Sequence, residues 1–215
     1  MDKFDGGGSI LKENFTKRVR ELVDKRDKPF EKCLEWCAGL GEIGRDLLNK
    51  KLIKKLVLLD INKKALDEGD KRWGSKDIRY YQSDNLSNLN KYEKFDLVVG
   101  NPPSYCNVDP NHPLYPEWEG DLRPFDPEWK LRKEFYGDIA KNMTMDGVIL
   151  INEVELYKDK VFIGELWDNR PRPPVGEFMD MIEGNGLRIK SCSFLRDIDG
   201  VDVYMMESKI CGSYL

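Results

Sequence analysis

Apolar positions along this chain follow two rhythms. Ile10, Leu11, Phe15, Val19, Leu22 and Val23 recur at helical spacing through residue 26, which predicts a helix with one buried face. Ser9 stands where it can cap that helix. Short apolar runs follow at residues 33–37, 56–59, 78–81, 95–99 and 147–151. Runs so nearly continuous in apolar residues mark strands covered on both faces. Helical stretches are predicted between them, to about residue 51 after the first strand, at 63–72, and at 128–143. In the last of these Leu131, Phe135, Ile139 and Met143 make the buried stripe. Asp126-Pro127 stands at its start. Residues 177–183 read as a short helix with Phe178, Met181 and Ile182 inward, stopped by Gly184 and Gly186. Residues 187–195 and 201–210 read as a closing hairpin, the alternation of Ile189, Cys192 and Phe194 fitting strands. Strand and helix taking turns in this way predict an α/β fold around a mostly parallel sheet.

Composition narrows the class. The 215 residues are 40% hydrophobic and 34% charged, enough apolar material for the core of one folded domain. No apolar run approaches the length of a membrane span. The N-terminus carries no apolar signal core, so a cytoplasmic protein is expected. Cysteines stand at 33, 37, 106, 192 and 211, with no Cys-x-x-Cys pair, and His112 is the single histidine. A reduced compartment and no metal site are expected. The formal net charge of −4 weakens an unaided grip on nucleic acid, where many Lys or Arg contacts to phosphate are needed.

Polar residues cluster where the strands end. The first strand carries an acid, Glu35, and runs through Cys37 into Ala38-Gly39-Leu40-Gly41-Glu42-Ile43-Gly44. Strand, glycine turn and helix in that order let the backbone approach a ligand closely at a helix N-terminus. The second strand ends in Asp60-Ile61-Asn62. Asp60 lies 19 residues beyond Gly41, near the ~20-residue offset at which an acid meets a ribose diol. A helix cap is the other role available there, and Asp60 and Asn62 can fill the two in turn. The third strand leads to Asp84-Asn85. The fourth runs into Asn101-Pro102-Pro103. Prolines cannot donate to a ladder, so the strand stops in a stiff elbow at its carboxyl end, the edge at which open α/β sheets bind ligands. Asn101 and the Pro102 carbonyl can together accept both hydrogens of an amino group.

With these residues in place the chain resembles a class I S-adenosylmethionine-dependent methyltransferase over about residues 30–210. The resemblance implies a doubly wound, Rossmann-like sheet of seven strands, mostly parallel with an antiparallel C-terminal hairpin strand, in a single methyltransferase domain over residues 1–215. It implies S-adenosylmethionine as cofactor. Glu35, Cys37, Gly39 and Gly41 would lie at its methionine end, Asp60 at the ribose and Asp84 at the adenine, with Ile61 and Asn85 also against the cofactor. Asn101-Pro102-Pro103 resembles the Asn-Pro-Pro-aromatic motif of amino-group methyltransferases, with Asn101 also near the cofactor. That subgroup places its aromatic directly after the second proline. Here Ser104 intervenes and the aromatic is Tyr105.

Two long segments, 106–127 and 155–175, are expected on the substrate side, and 1–28 form an N-terminal arm and helix. From residue 107 to 135 there are seven acids against four Lys or Arg, with Tyr115, Trp118, Phe125 and Trp129 among them. An acidic, aromatic wall suits an amine-bearing acceptor better than a phosphate. Trp118, Asp121, Arg123 and Glu153 are the substrate candidates. Glu153 follows the fifth strand and is expected near the elbow, to hold an ammonium or take a proton. The expected activity is N-methylation of a small molecule or a protein side chain. A nucleic-acid adenine-type methyltransferase, helped by an activator subunit, is the alternative, and an inactive cofactor-binding scaffold a further one; a lid or a homodimer contact is the role open to residues 155–175. A nicotinamide-dependent oxidoreductase fits less well, because no Tyr-x-x-x-Lys pair is present.

Overall fold

Each apolar run becomes a strand of one sheet, and the helical stretches cover its two faces. The computed structural model describes residues 8–103, 126–154, 175–198 and 201–211. Its strands are β1 (Phe30–Trp36), β2 (Ile53–Asp60), β3 (Ile78–Gln82), β4 (Phe95–Gly100), β5 (Met143–Val154), β6 (Leu187–Ile198) and β7 (Val201–Ile210). They are ordered β3-β2-β1-β4-β5-β7-β6. β1 to β5 run parallel, while β7 is inserted antiparallel between β5 and β6.

Alternation along each strand divides the core. On β1, Cys33 points to the face covered by α1 (Gly8–Arg26), α2 (Glu42–Asn49) and α3 (Lys63–Trp73), where Phe15, Val19, Ile43, Leu47 and Leu66 pack. Leu34 and Trp36 point to the other face, under α4 (Lys130–Ile139) and α5 (Val175–Glu183). There Trp36 stacks on Phe135 with ring centroids 3.9 Å apart, and Ile139 and Ile182 are buried. Two core layers around one sheet are the α/β arrangement the apolar pattern predicts.

Several expectations are corrected. Ser9 lies inside α1, which starts at Gly8. The helix predicted over 128–143 is shorter: Pro127–Trp129 and Ala140–Asn142 are single 3-10 turns flanking α4. Glu128 and Trp129 have φ of 55° and 56°, a left-handed backbone that an α-helix does not contain. Met143 begins β5 instead of closing the helical stripe, and β5 pairs with β4 with a register shift between Phe95 and Leu97. On β6, Cys192 and Phe194 are exposed. Phe194 meets its cross-strand neighbour Tyr204 edge-on instead of entering the core.

Candidate functional site

The carboxyl ends of β1, β2, β4 and β5 form one rim. At β1 the turn after Trp36 is built from left-handed residues: Cys37 (φ 54°), Gly39 (φ 53°) and Gly41 (φ 79°). At Gly41 a Cβ would lie 2.5 Å from Leu58 Cδ1, so both conformation and space call for glycine. Two carboxylates hold this turn. Glu35, on the α1–α2 face, accepts from the N–H of Gly44 at 2.7 Å and of Ile43 at 3.3 Å. It thus satisfies two of the amides that the first turn of α2 leaves open. Burial pushes its carboxyl up to about 8, against the pull of these two N–H groups. The partner a buried acid requires is therefore inside the fold. Asp60, ending β2, accepts from Gly39 N and from Asn62 N, each at 2.7 Å. Burial raises its carboxyl above the ordinary range, opposed by the N–H groups of Asn62, Gly39 and Ile61. The cap of α3 is Asn62, which accepts from Lys64 N and Ala65 N. Of the two roles open to this pair, the cap falls to Asn62, and Asp60 stays at the rim beside Ile61, an apolar side chain 64% exposed. Cys37 is half-buried, and burial drives its thiol well up, leaving it neutral.

After β3 the chain turns through Ser83-Asp84-Asn85. Asp84 is exposed. Asn85 is buried with φ 53°. Its Oδ1 accepts from Trp36 Nε1 at 3.1 Å and its Nδ2 donates to the Leu131 carbonyl at 2.9 Å. The Asn85 side chain, expected at the adenine, is occupied in tying β1 to α4.

The elbow follows β4. Gly100 pairs with Ile151, which brings Asn101 beside Asn152. Asn152 Nδ2 donates to Asn101 Oδ1 at 2.6 Å, and Asn152 is 3% exposed. Pro102 is buried and Pro103 half-buried. Glu153 is corrected most sharply. It is fully buried and its carboxylate is gripped by Arg132, from Nε at 2.9 and 3.1 Å and from Nη2 at 2.5 Å. It is engaged in the core and does not face the rim as an open acid. Burial raises its carboxyl, opposed by Arg132. Arg132 also donates to the Pro103 carbonyl and reaches Asp126 Oδ2 at 3.3 Å. Sequence reasoning missed Arg132 and Asn152. The signal for Asn152 was its place at a strand's carboxyl end beside Glu153. For Arg132 the signal was its position between Leu131 and Phe135 on a buried stripe. Tyr105, Trp118, Asp121 and Arg123 lie outside the described residues. A separate cleft of about 550 Å³ opens at the amino-terminal ends of the strands, lined by Pro29, Arg45, Ile53, Trp73 and Ile78, away from this rim.

Known proteins share both the sequence and the fold. The family model described as "Methyltransferase small domain" matches residues 1–111, just over half of the chain. The ribosomal RNA small subunit methyltransferase C of Actinobacillus pleuropneumoniae serotype 5b (strain L20) is 31% identical over 109 residues. That alignment covers 50% of this chain and 30% of the relative. An S-adenosylmethionine-dependent methyltransferase from Clostridium acetobutylicum ATCC 824 superposes with a TM-score of 0.63 at 14% identity, over 93% of this chain and 92% of that one. The N-methyltransferase NodS of Bradyrhizobium japonicum WM9, solved in complex with S-adenosyl-L-homocysteine, superposes with a TM-score of 0.60 at 13% identity. Its match covers 92% of this chain and 86% of NodS. The chain belongs to the methyltransferase small domain family. Its fold is that of the class I S-adenosylmethionine-dependent methyltransferases.

Proposed function

We propose that this protein is an N-methyltransferase that methylates the amino nitrogen of a planar acceptor. The observation that carries this reading is Asn101, held at 2.6 Å by Asn152 at the carboxyl end of β4, where the two following prolines stiffen the chain. In this reading Asn101 Oδ1, oriented by Asn152, accepts one hydrogen of the acceptor amino group. The Pro102 carbonyl takes the second. With both hydrogens held, the nitrogen lone pair has one direction left. Orientation of this kind supplies much of the rate when two reactants must meet head-on. That lone pair would take the methyl carbon as the bond from this carbon to sulfur breaks, with the bonding electrons staying on sulfur and one N–H proton passing to solvent.

The rim fits the cofactor. Asp60 would take the ribose hydroxyls with the lone pairs that Gly39 and Asn62 leave available. Ile61, exposed beside it, would cover the adenine, with Asp84 at its edge. The left-handed turn through Cys37, Gly39 and Gly41 would receive the methionine end, braced from behind by Glu35. S-adenosylmethionine supplies the methyl group on a positively charged sulfur, so the chain's own work is to orient the acceptor and exclude wrong geometries.

Two acceptor classes have support. The net charge of −4 and the excess of acids in residues 107–135 favour a small amine-bearing molecule or a protein side chain. The relative named as a ribosomal RNA methyltransferase favours a nucleobase amino group in RNA, with an activator subunit adding the basic surface that phosphate contacts require. Radiolabelled S-adenosylmethionine, incubated with extracted RNA, a ribosomal protein fraction and a metabolite extract, separates them. Label in the RNA selects the nucleobase, and label in the other fractions selects the smaller acceptor. Mass spectrometry of the labelled product must find the methyl on nitrogen. A methyl on oxygen or carbon overturns the reading.

A further inference from the structure

Arg132 is fully buried and binds three separate pieces of chain. Nε and Nη2 grip Glu153 at the end of β5, at 2.9 and 2.5 Å. Nη1 reaches Asp126 Oδ2 at 3.3 Å and donates to the Pro103 carbonyl. Asp126 in turn accepts from Leu131 N at 2.7 Å and Arg132 N at 3.2 Å, closing the first turn of α4. The Trp129 ring covers the guanidinium, 4.7 Å from its centroid.

Stability alone gives little reason for this arrangement. Sinking a guanidinium and two carboxylates carries a desolvation cost that their attraction roughly offsets, and apolar residues of similar volume often do as well. What the group supplies is direction. Pro102 and Pro103 have no N–H, so these two residues can be anchored through their backbone only by donors brought to their carbonyls. Arg132 is such a donor. A planar fork can hold Glu153 on one edge while its remaining nitrogen addresses Pro103 and Asp126, which a lysine ammonium cannot do.

We infer that Arg132 is a positioning residue for methyl transfer, locking the Pro103 peptide to the ends of β5 and α4 so that Asn101 and the Pro102 carbonyl keep a fixed geometry. The inference rests on the reading of that elbow as the seat of the acceptor amino group. Asn152 holds the elbow's first residue and Arg132 its last, so the acceptor site is clamped at both ends by groups that never touch the acceptor.

The test compares wild type, Arg132→Lys, Arg132→Met and Glu153→Gln in two ways. First, nitrogen NMR with labelled asparagine follows the Asn101 and Asn152 side-chain amides, assigned through the loss of signal in Asn101→Asp. Second, calorimetry gives the Kd for S-adenosylmethionine, and the labelled-methyl assay gives kcat and KM. The Arg132 variants are expected to shift or double the asparagine signals, leave the cofactor Kd within about threefold, and lower kcat about 100-fold, the scale of a displacement near 1 Å at a reacting group. Glu153→Gln, which keeps a carbonyl oxygen for Arg132, is expected to fall between. Wild-type asparagine signals and kcat in Arg132→Lys overturn the inference, as does a change confined to KM or to the cofactor Kd. Should Arg132→Met fail to fold, Arg132→Lys carries the decision. A methyl found on oxygen or carbon sinks the amino-group reading. The asparagine signals then still decide, separately, whether Arg132 sets the elbow.

Discussion

Asn152 donates to Asn101 across the β4–β5 pair at 2.6 Å. The side chain proposed to meet the acceptor is therefore oriented by the neighbouring strand before any acceptor arrives. Asn101→Ala is expected to lower turnover about 1,000-fold while leaving cofactor binding within a few fold. Asn152→Ala is expected to lower single-turnover rates about 10- to 100-fold through loss of orientation. The double variant should cost no more than Asn101→Ala alone, because residues acting as a unit are strongly non-additive. Additive losses would show that Asn152 works elsewhere.

Asp60 holds Gly39 and the start of α3 while facing the rim. Asp60→Ala should raise the Kd for S-adenosylmethionine about 10- to 100-fold, equivalent to roughly 1.4 to 2.7 kcal/mol, with a smaller effect on turnover at saturating cofactor. Calorimetry reads this directly. An unchanged Kd would remove Asp60 from the ribose.

Asn85 behaves as a tie between β1 and α4 through Trp36 and Leu131. Asn85→Ala strands the buried Trp36 N–H and is expected to cost about 1 to 3 kcal/mol of stability. The urea midpoint should fall, and cofactor affinity should stay close to wild type once the protein is folded. Full stability with lost affinity would place the side chain at the ligand.

The carboxyl of Glu35 ordinarily titrates at 4.5 and is pushed up to about 8 in the fold, chiefly by burial. A group whose folded value is raised contributes stability that is complete below its unfolded value. That contribution is lost as pH climbs through the folded one. Glu35 should therefore erode stability from about pH 4.5 to about pH 8, at no more than about 1.4 kcal/mol per pH unit. Urea melts across this window, on wild type and Glu35→Gln, test it: the variant's curve should be the flatter. Parallel curves would mean that Glu35 is already ionised throughout.

Much of the fold could be read from the chain because its strands are buried on both faces. Leu-Val-Leu-Leu and Phe-Asp-Leu-Val-Val leave little choice of state, and β2 and β4 include them. Misassignments fall where local pattern and tertiary context disagree. Met143 continued a helical stripe by spacing, yet it pairs with Phe95 as the first residue of β5, because the backbone had already turned at Ala140–Asn142. Cys192 and Phe194 alternate as a half-buried strand would. They lie on β6, the edge of the sheet, and both are exposed there.

Within the candidate site, the rim was legible in residue types and spacing: Glu35, Asp60 and Asn101 each stand where a strand ends. Their bonds were not. That Glu35 closes on Ile43 and Gly44, or that Glu153 is claimed by Arg132, depends on distances between elements that no spacing encodes. Arg132 was invisible for a plainer reason. An arginine on a helix is usually solvated, and only the two carboxylates brought in from Asp126 and β5 make its burial tolerable.

The turn after β1 is fastened on both sides, by Glu35 to the head of α2 and by Asp60 to Gly39. A loop with so few remaining conformations has little freedom to surrender when a ligand enters, and a smaller ordering cost leaves more of the contact energy as affinity. Spent cofactor can then leave and fresh cofactor enter without the turn refolding each time. With the methionine end of the cofactor seated there as proposed, exchange at this end would be a matter of desolvation and diffusion.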